Sequence, residues 1–559
     1  MHHRLRLLTM GVAVLAVATL GLSGCEKDEG PSNHAPEIVS ISALEGTTIT
    51  QNQNVTLVAV VTDEDGDTVN FVWSAPSGSL NATDNDTVVW TSTEDDGIVT
   101  ISLRVDDDEN VASSSIDIGV GVYVPAVQPY YVGAAQCSGC HSATHTAWMT
   151  TMHSDAYDRK QEEFSDYCLA CHTVGYDTEV DNGGYDENPV ASLTNIQCEN
   201  CHGPASAHLA STDKVNDPQI TDSMSEDVCA PCHVSSRTSF WTDWAASGHA
   251  AGETILGYPG DGGSTSCSWC HNGDGFIEKL ETGSAASYAA QVINCSVCHD
   301  PHSAANTHQV RTTQSTNPDG VLITDGGAGA LCMNCHTGRR SVSQVTSAVT
   351  DGSTHFGPHH GNQGAFLYPA VYADPSGGTF TFASSNHLLI EDSCATCHMH
   401  GEGVQPPATN GFSSHKYEPS LEACEPCHGV LADFDDVMAK QDFDGDGSIE
   451  GVQSEVHGLM SLLEGALYAT GLDTTGTDND IITAAGWSTD STATWAGVDL
   501  GTYDVLDIRG AAYNLASVTY DHSYGVHNAT FTVQLLQQSY KALVGGDVPS
   551  AYILEEGGF

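Results

Sequence analysis

Along the 559 residues the spacing of apolar positions changes character several times. Leu7 to Leu22 is a continuous apolar run behind Arg4 and Arg6. It is shorter than the ~20 residues a membrane-spanning helix needs, and a basic stretch followed by an apolar one is the layout of an export signal. From Ala35 to Val124 apolar and polar positions alternate. Val55, Leu57, Ala59 and Val61 share one face; Phe71 and Trp73, Val88 to Trp90, Val99 to Val105 and Ile116 to Ile118 follow. Acidic turns at Asp63–Asp67, Asp95–Gly97 and Asp106–Asp108 interrupt them. Short alternating strands broken by turns predict a β-sandwich. Beyond a linker at Pro125–Pro129 neither period persists, and Gly, Ser and Thr dominate to about residue 430. Helical spacing then appears at Val452, Val456, Leu459, Leu463 and Leu467, with further helices predicted around Leu506–Val518 and Phe531–Leu543.

The stretch without a period carries the chemistry. Cys-x-x-Cys-His occurs nine times: Cys137/Cys140/His141 (motif 1), Cys168/Cys171/His172 (motif 2), Cys198/Cys201/His202 (motif 3), Cys229/Cys232/His233 (motif 4), Cys267/Cys270/His271 (motif 5), Cys295/Cys298/His299 (motif 6), Cys332/Cys335/His336 (motif 7), Cys394/Cys397/His398 (motif 8) and Cys424/Cys427/His428 (motif 9). These use all but one of the 19 cysteines. Two thiols at this spacing each form a thioether with one haem vinyl, and the next histidine then lies beneath the iron. Zinc sites do not need a histidine directly after the second cysteine, and a disulfide framework needs none. Nine covalent c-type haems follow. With about thirty residues between most motifs, the polypeptide has little apolar material per haem. The porphyrins must supply most of the buried surface there.

What fills the sixth position of each iron decides what it does. Of 27 histidines, nine are proximal and His2, His3 and His34 precede the motifs, which leaves fifteen. That is enough for a second histidine at every iron. Two nitrogen ligands close the iron to substrate and favour electron transfer over catalysis. Met149, Met152 and Met399 are the alternative axial ligands.

Lys and Arg total 16 against 72 Asp and Glu, a formal net charge of −56. Such a chain repels nucleic acid and anionic lipid surfaces. It is either simply well solvated or attractive to a basic redox partner. Asp442, Asp444 and Asp446, with Gly447, match the first half of an EF-hand calcium loop, but Gln453 stands where a bidentate glutamate belongs. Glu455 is the substitute, and an acidic turn without calcium is the alternative reading.

Three resemblances add to this. Leu22-Ser-Gly-Cys25 resembles a bacterial lipobox, which implies an exported protein held to the cell envelope by lipid on Cys25, with an ordinary secretory signal as the rival. Residues 35–124 look like immunoglobulin-like and PKD-like modules. Tyr131-Val-Gly133, motif 1, Trp148 and Met152-His153-Ser154 look like the opening of the multihaem cytochrome c superfamily. That group includes nitrifier tetrahaem cytochromes, hydroxylamine oxidoreductase, octahaem tetrathionate reductase and pentahaem nitrite reductase. The resemblance extends to Ser247-Gly-His249, Asp300-Pro-His302 and Gly525-Val-His527-Asn528. It implies His153, His208, His249, His302, His355, His359, His387, His415 and His527 as distal ligands, with His360 competing against His359. No motif ends in lysine, as the active haem of most nitrite reductases does.

The expected architecture is therefore multidomain: signal 1–24, tether 25–34, Ig-like β-sandwich 35–124, loop-rich and mainly α haem domain 130–430, and C-terminal helical cap 431–559. The expected function is electron transfer to a redox partner protein or an extracellular acceptor, with the lipid as sole membrane attachment. The alternative is a reductase or dehydrogenase of a small nitrogen or sulfur compound at one open haem.

Overall fold

The computed structural model describes residues 33–125, 129–159, 165–215, 219–221, 225–234, 239–251, 265–284, 291–351, 356–401, 413–471, 499 and 501–557. The apolar leader, Cys25 and His355 lie outside them. The chain divides into two compact units, residues 1–126 and 127–559.

The first unit is strand-rich. β1 (Glu37–Ala43), β3 (Asn54–Thr62), β6 (Thr87–Thr91) and β5 (Ser79–Leu80) form one sheet in that order. β2 (Thr48–Ile49), β8 (Val111–Val120), β7 (Gly97–Asp106) and β4 (Asn70–Ser74) form the other. Pairing is antiparallel throughout except between β2 and β8. The period of two dictates the packing. On β7, Val99, Ile101, Leu103 and Val105 are buried and the residues between them are exposed. On β3, Val55, Leu57 and Ala59 are buried, but Val61 only partly. One core gathers these side chains with Val88, Trp90, Trp73 and Ile118, so both sheets contribute to it. Each tryptophan keeps its indole N–H satisfied: Trp73 donates to the Asn85 carbonyl (2.9 Å) and Trp90 to that of Ser77 (3.0 Å).

The second unit is helix-rich and loop-rich. Its motifs sit on helical turns a few residues long, such as Cys198–His202 and Cys394–His398. Longer helices come later: α1 (Val342–Thr350), α2 (Val452–Ala469), α3 (Val505–Asp521) and α4 (Ala529–Val544). The helical spacing read from the sequence is what α2 buries: Val456, Leu459, Leu463 and Leu467. These helices share one core with Val345, Val349, Phe356, Phe366 and Val371, which lie between motifs 7 and 8. Two buried polar groups tie that segment to α3. Asn514 donates to the Ala373 carbonyl (2.7 Å), and Arg509 donates to that of Val349 (3.1 Å) while lying over the Phe356 ring. Among the described residues no helix is long and apolar enough to cross a membrane.

Candidate haem sites

Except in motif 1, the histidine ends a helical turn or follows it closely; His141 instead precedes the helix Ser142–Trp148. The ring is then oriented by what its Nδ1–H donates to. His172 donates to the Ala156 carbonyl (3.2 Å), His202 to Thr221 (2.6 Å), His299 to His308 (2.9 Å) and His398 to Tyr417 (3.0 Å). His336 donates to the Gln363 side-chain oxygen at 3.2 Å. Engaging Nδ1 leaves Nε2 as the ligand atom.

Among the described residues, eight of the nine motif histidines face a second histidine ring at 6.0–6.3 Å between centres. The pairs are His141–His208, His202–His302, His233–His153, His271–His359, His299–His415, His336–His249, His398–His527 and His428–His387. Metal–imidazole bonds of about 2 Å on each side, plus the half-width of each ring, put two trans ring centres about 6 Å apart. The separations therefore fit one iron between each pair. His360 also lies 6.0 Å from His271, and His271, His359 and His360 bring their nitrogens within 4.8 Å of one another. His359 Nδ1–H donates to the His360 carbonyl (2.6 Å), which leaves Nε2 of His359 as a ligand atom.

Most of these rings border one continuous cavity of about 3220 Å³, which reaches motifs 2 and 4 to 9 and whose wall includes Cys171, Cys232, Trp244, Val297 and Phe276. The described cysteines are free thiols, so they are available for thioether bonds. Burial is the main cause that lowers the pKa of His153, His233, His271, His299, His302, His336, His387 and His398. It takes His249, His359 and His415 down to about 4. A neutral imidazole is the form that binds iron. The donor set, the spacing and the space thus fit haem.

His527 is different. Burial works to lower its pKa, but the charge and hydrogen bond of Asp521 more than offset this, and the net shift is upward. Asp521 is itself 2% exposed and accepts from His527 Nδ1 at 2.7 Å. Sequence reasoning missed Asp521, because its partner is set by the turn after α3. It also missed Glu199 inside motif 3. That buried carboxylate accepts from the backbone N–H of Val132 (3.0 Å), Gly133 (2.7 Å) and Ala205 (2.8 Å), clamping the approach to motif 1 onto motif 3.

Met149 and Met152 are 61% and 65% exposed. In the acidic loop, the cluster that forms is Asp442, Asp444 and Glu455, within 4.8 Å. Asp446 is outside it and accepts from the Ser448 N–H (2.7 Å). Glu455 accepts from the N–H groups of Phe443 (2.7 Å), Asp444 (3.2 Å) and Glu450 (3.0 Å). These bonds hold the Glu455 carboxylate against the loop.

Repeated thiol pairs, paired imidazoles and a cavity of this size define a multihaem c-type cytochrome with covalently bound haem. Residues 136–203, which hold motifs 1 to 3, match the family described as cytochrome c554 and c-prime. Cytochrome c-554 of Nitrosomonas europaea is 31% identical over 113 residues, 17% of this chain and 46% of that protein. The C-type polyheme cytochrome OmcB of Geobacter sulfurreducens, in two strains, is 21% identical over 556 residues, 77% of this chain and 73% of that protein.

Proposed function

We propose that the chain is a nonahaem cytochrome that carries electrons between partners rather than transforming a substrate. The observation that supports it best is the second imidazole facing each of eight motif histidines at 6.0–6.3 Å. An iron held between two imidazoles has no open position, so its remaining chemistry is one-electron exchange. On the same reading, His355 supplies a further distal ligand, and Cys25 carries the lipid that holds the exported protein at the cell envelope. The strand-rich unit then serves as an Ig-like stalk, and the helices beyond residue 430 cap the haem region. The partner is a basic redox protein or an extracellular acceptor.

Electron paramagnetic resonance of the oxidised, haem-loaded protein tests the reading. Low-spin haem throughout is expected. A stoichiometric high-spin signal that shifts with nitrite or hydroxylamine would make the protein a reductase or dehydrogenase instead. Intact-mass analysis should return nine haems and a diacylglycerol thioether on Cys25.

A further inference from the structure

The order in which haems touch in space need not follow their order in the chain. Each motif thiol becomes a thioether on a porphyrin edge. Thiols of two motifs in contact therefore put two porphyrin edges in contact, and the irons lie within roughly one macrocycle of each other.

Motif 4 has two such neighbours and a third close by. Cys232 makes a thiol–thiol contact with Cys171 of motif 2, and Cys229 does the same with Cys295 of motif 6. Cys201 of motif 3 is close enough to Cys229 and Cys232 to interact electrostatically with both. Two facing rings also cross between motifs: His302, just after motif 6, faces motif 3, and His153, just after motif 1, faces motif 4. Motif 3 meets motif 1 through Cys137 and Cys198, through His208 and through the Glu199 clamp.

Motif 7 repeats the arrangement. Cys335 contacts Cys270 of motif 5, and each of the two also approaches the other motif's backbone, Cys270 at Asn334 (3.8 Å) and Cys335 at Trp269 (3.9 Å). Cys332 contacts Cys394 of motif 8. Motif 6 joins through one apolar cluster holding Val297, Cys298 and Cys335. Tyr417 reinforces that junction. Its ring centre lies 4.7 Å from that of His249, which faces motif 7, and 5.9 Å from that of His415, which faces motif 6. Motif 8 then meets motif 9, where Cys397 and Cys424 interact and the Ser420 N–H donates to the Cys397 carbonyl (3.3 Å).

We propose that the haems form a branched series, not a single file, with three-way junctions at motifs 4 and 7. The trunk runs through motifs 1, 3, 4, 6, 7, 8 and 9. The haem of motif 2 attaches at the first junction and that of motif 5 at the second. The trunk's outer motifs hold Cys140 and Cys427, the exposed cysteines among the described residues, which makes motifs 1 and 9 the open ends for exchange with partners. This rests on the electron-carrier reading for its use. Each hop oxidises one ferrous iron and reduces its ferric neighbour, with a one-electron reductant at one end and an oxidant at the other. A junction lets one trunk electron rest on a side haem while a second passes. That suits delivery of electrons in pairs.

The test is the set of iron positions in an experimental map of the haem-loaded protein. Irons 4 and 7 should each have three nearest irons, namely 2, 3 and 6, and 5, 6 and 8. A map with no iron having more than two close neighbours overturns the proposal. The electron-carrier reading fails separately, by the high-spin signal described above, whatever the map shows. Haem removal gives a second readout. Cys229→Ala with Cys232→Ala should shift the redox or paramagnetic signals of three other haems, and Cys424→Ala with Cys427→Ala those of one. Equal numbers in two correctly folded eight-haem proteins would overturn the junction. If either variant fails to fold, the wild-type map decides.

Discussion

In the strand-rich unit, Leu57, Trp73, Trp90, Ile101, Leu103 and Ile118 are at most 2% exposed and pack in one core. In the motif region the corresponding space is a cavity of about 3220 Å³ whose wall includes thiols and imidazoles. Its side chains are placed to touch something that the polypeptide does not supply. Two of the apolar clusters there are small ones, built around Phe276 and Val297 and around Ile323 and Met333. The larger helical core begins only at Val345. One region thus buries its own side chains, and the other buries a cofactor. The first pattern depends on residue size and period. The second depends on where a few ligand atoms point.

The most drastic way to probe this contrast is to withhold haem. In a host that cannot attach it, residues 129–430 should lose protection against proteolysis, while residues 33–125 stay protected. Fragment masses after brief digestion read this directly. Equal resistance of both regions would mean that the polypeptide fills its own core after all.

A smaller effect, confined to the other side, comes from Trp90→Ala. Emptying a fully buried aromatic site costs about 3–5 kcal/mol. The strand-rich unit should melt earlier in calorimetry, with the haem absorption transition unmoved.

Within the motif region, Glu199→Ala orphans the N–H groups of Val132, Gly133 and Ala205. Leaving buried donors unsatisfied costs about 1–3 kcal/mol. Burial pushes the Glu199 carboxyl up, against the pull of those N–H groups. An acid whose folded pKa is raised adds stability that is full below its unfolded value and is lost as pH rises through the folded one. The variant's thermal deficit should therefore change with pH across that window and be flat above it.

The smallest change is Asp521→Asn. It keeps the shape but removes the charge behind His527. A neutral partner makes the imidazole a weaker donor to iron, and second-layer changes of this kind cost about 10- to 100-fold in metal affinity. One haem, that of motif 8, should shift to higher potential in a spectroelectrochemical titration while the others hold.

The two regions also differ in how legible they were. The strand faces were readable because period two is local: Val99 to Val105 buries every second residue, as the spacing predicts. Val61 departs from it because it stands next to the end of β3. The helices of the last third were readable for the same reason. In the acidic loop the expected ligand Asp446 stands apart and Glu455 joins Asp442 and Asp444, because the first turn of α2 swings that carboxylate back over the loop.

By itself the sequence determined the nine Cys-x-x-Cys-His motifs, since thioether chemistry needs two thiols and a histidine within five residues. It also determined the supply of second imidazoles and the strand-rich and helical stretches. Tertiary structure alone decided which imidazole faces which motif. His527 meets His398 and His153 meets His233 because separate elements converge on one cavity. It also decided which motif thiols meet: those of motif 4 with motifs 2 and 6, and those of motif 7 with motifs 5 and 8. Ligand pairing and haem contact are distances in space between residues far apart in the chain, and no local spacing encodes them.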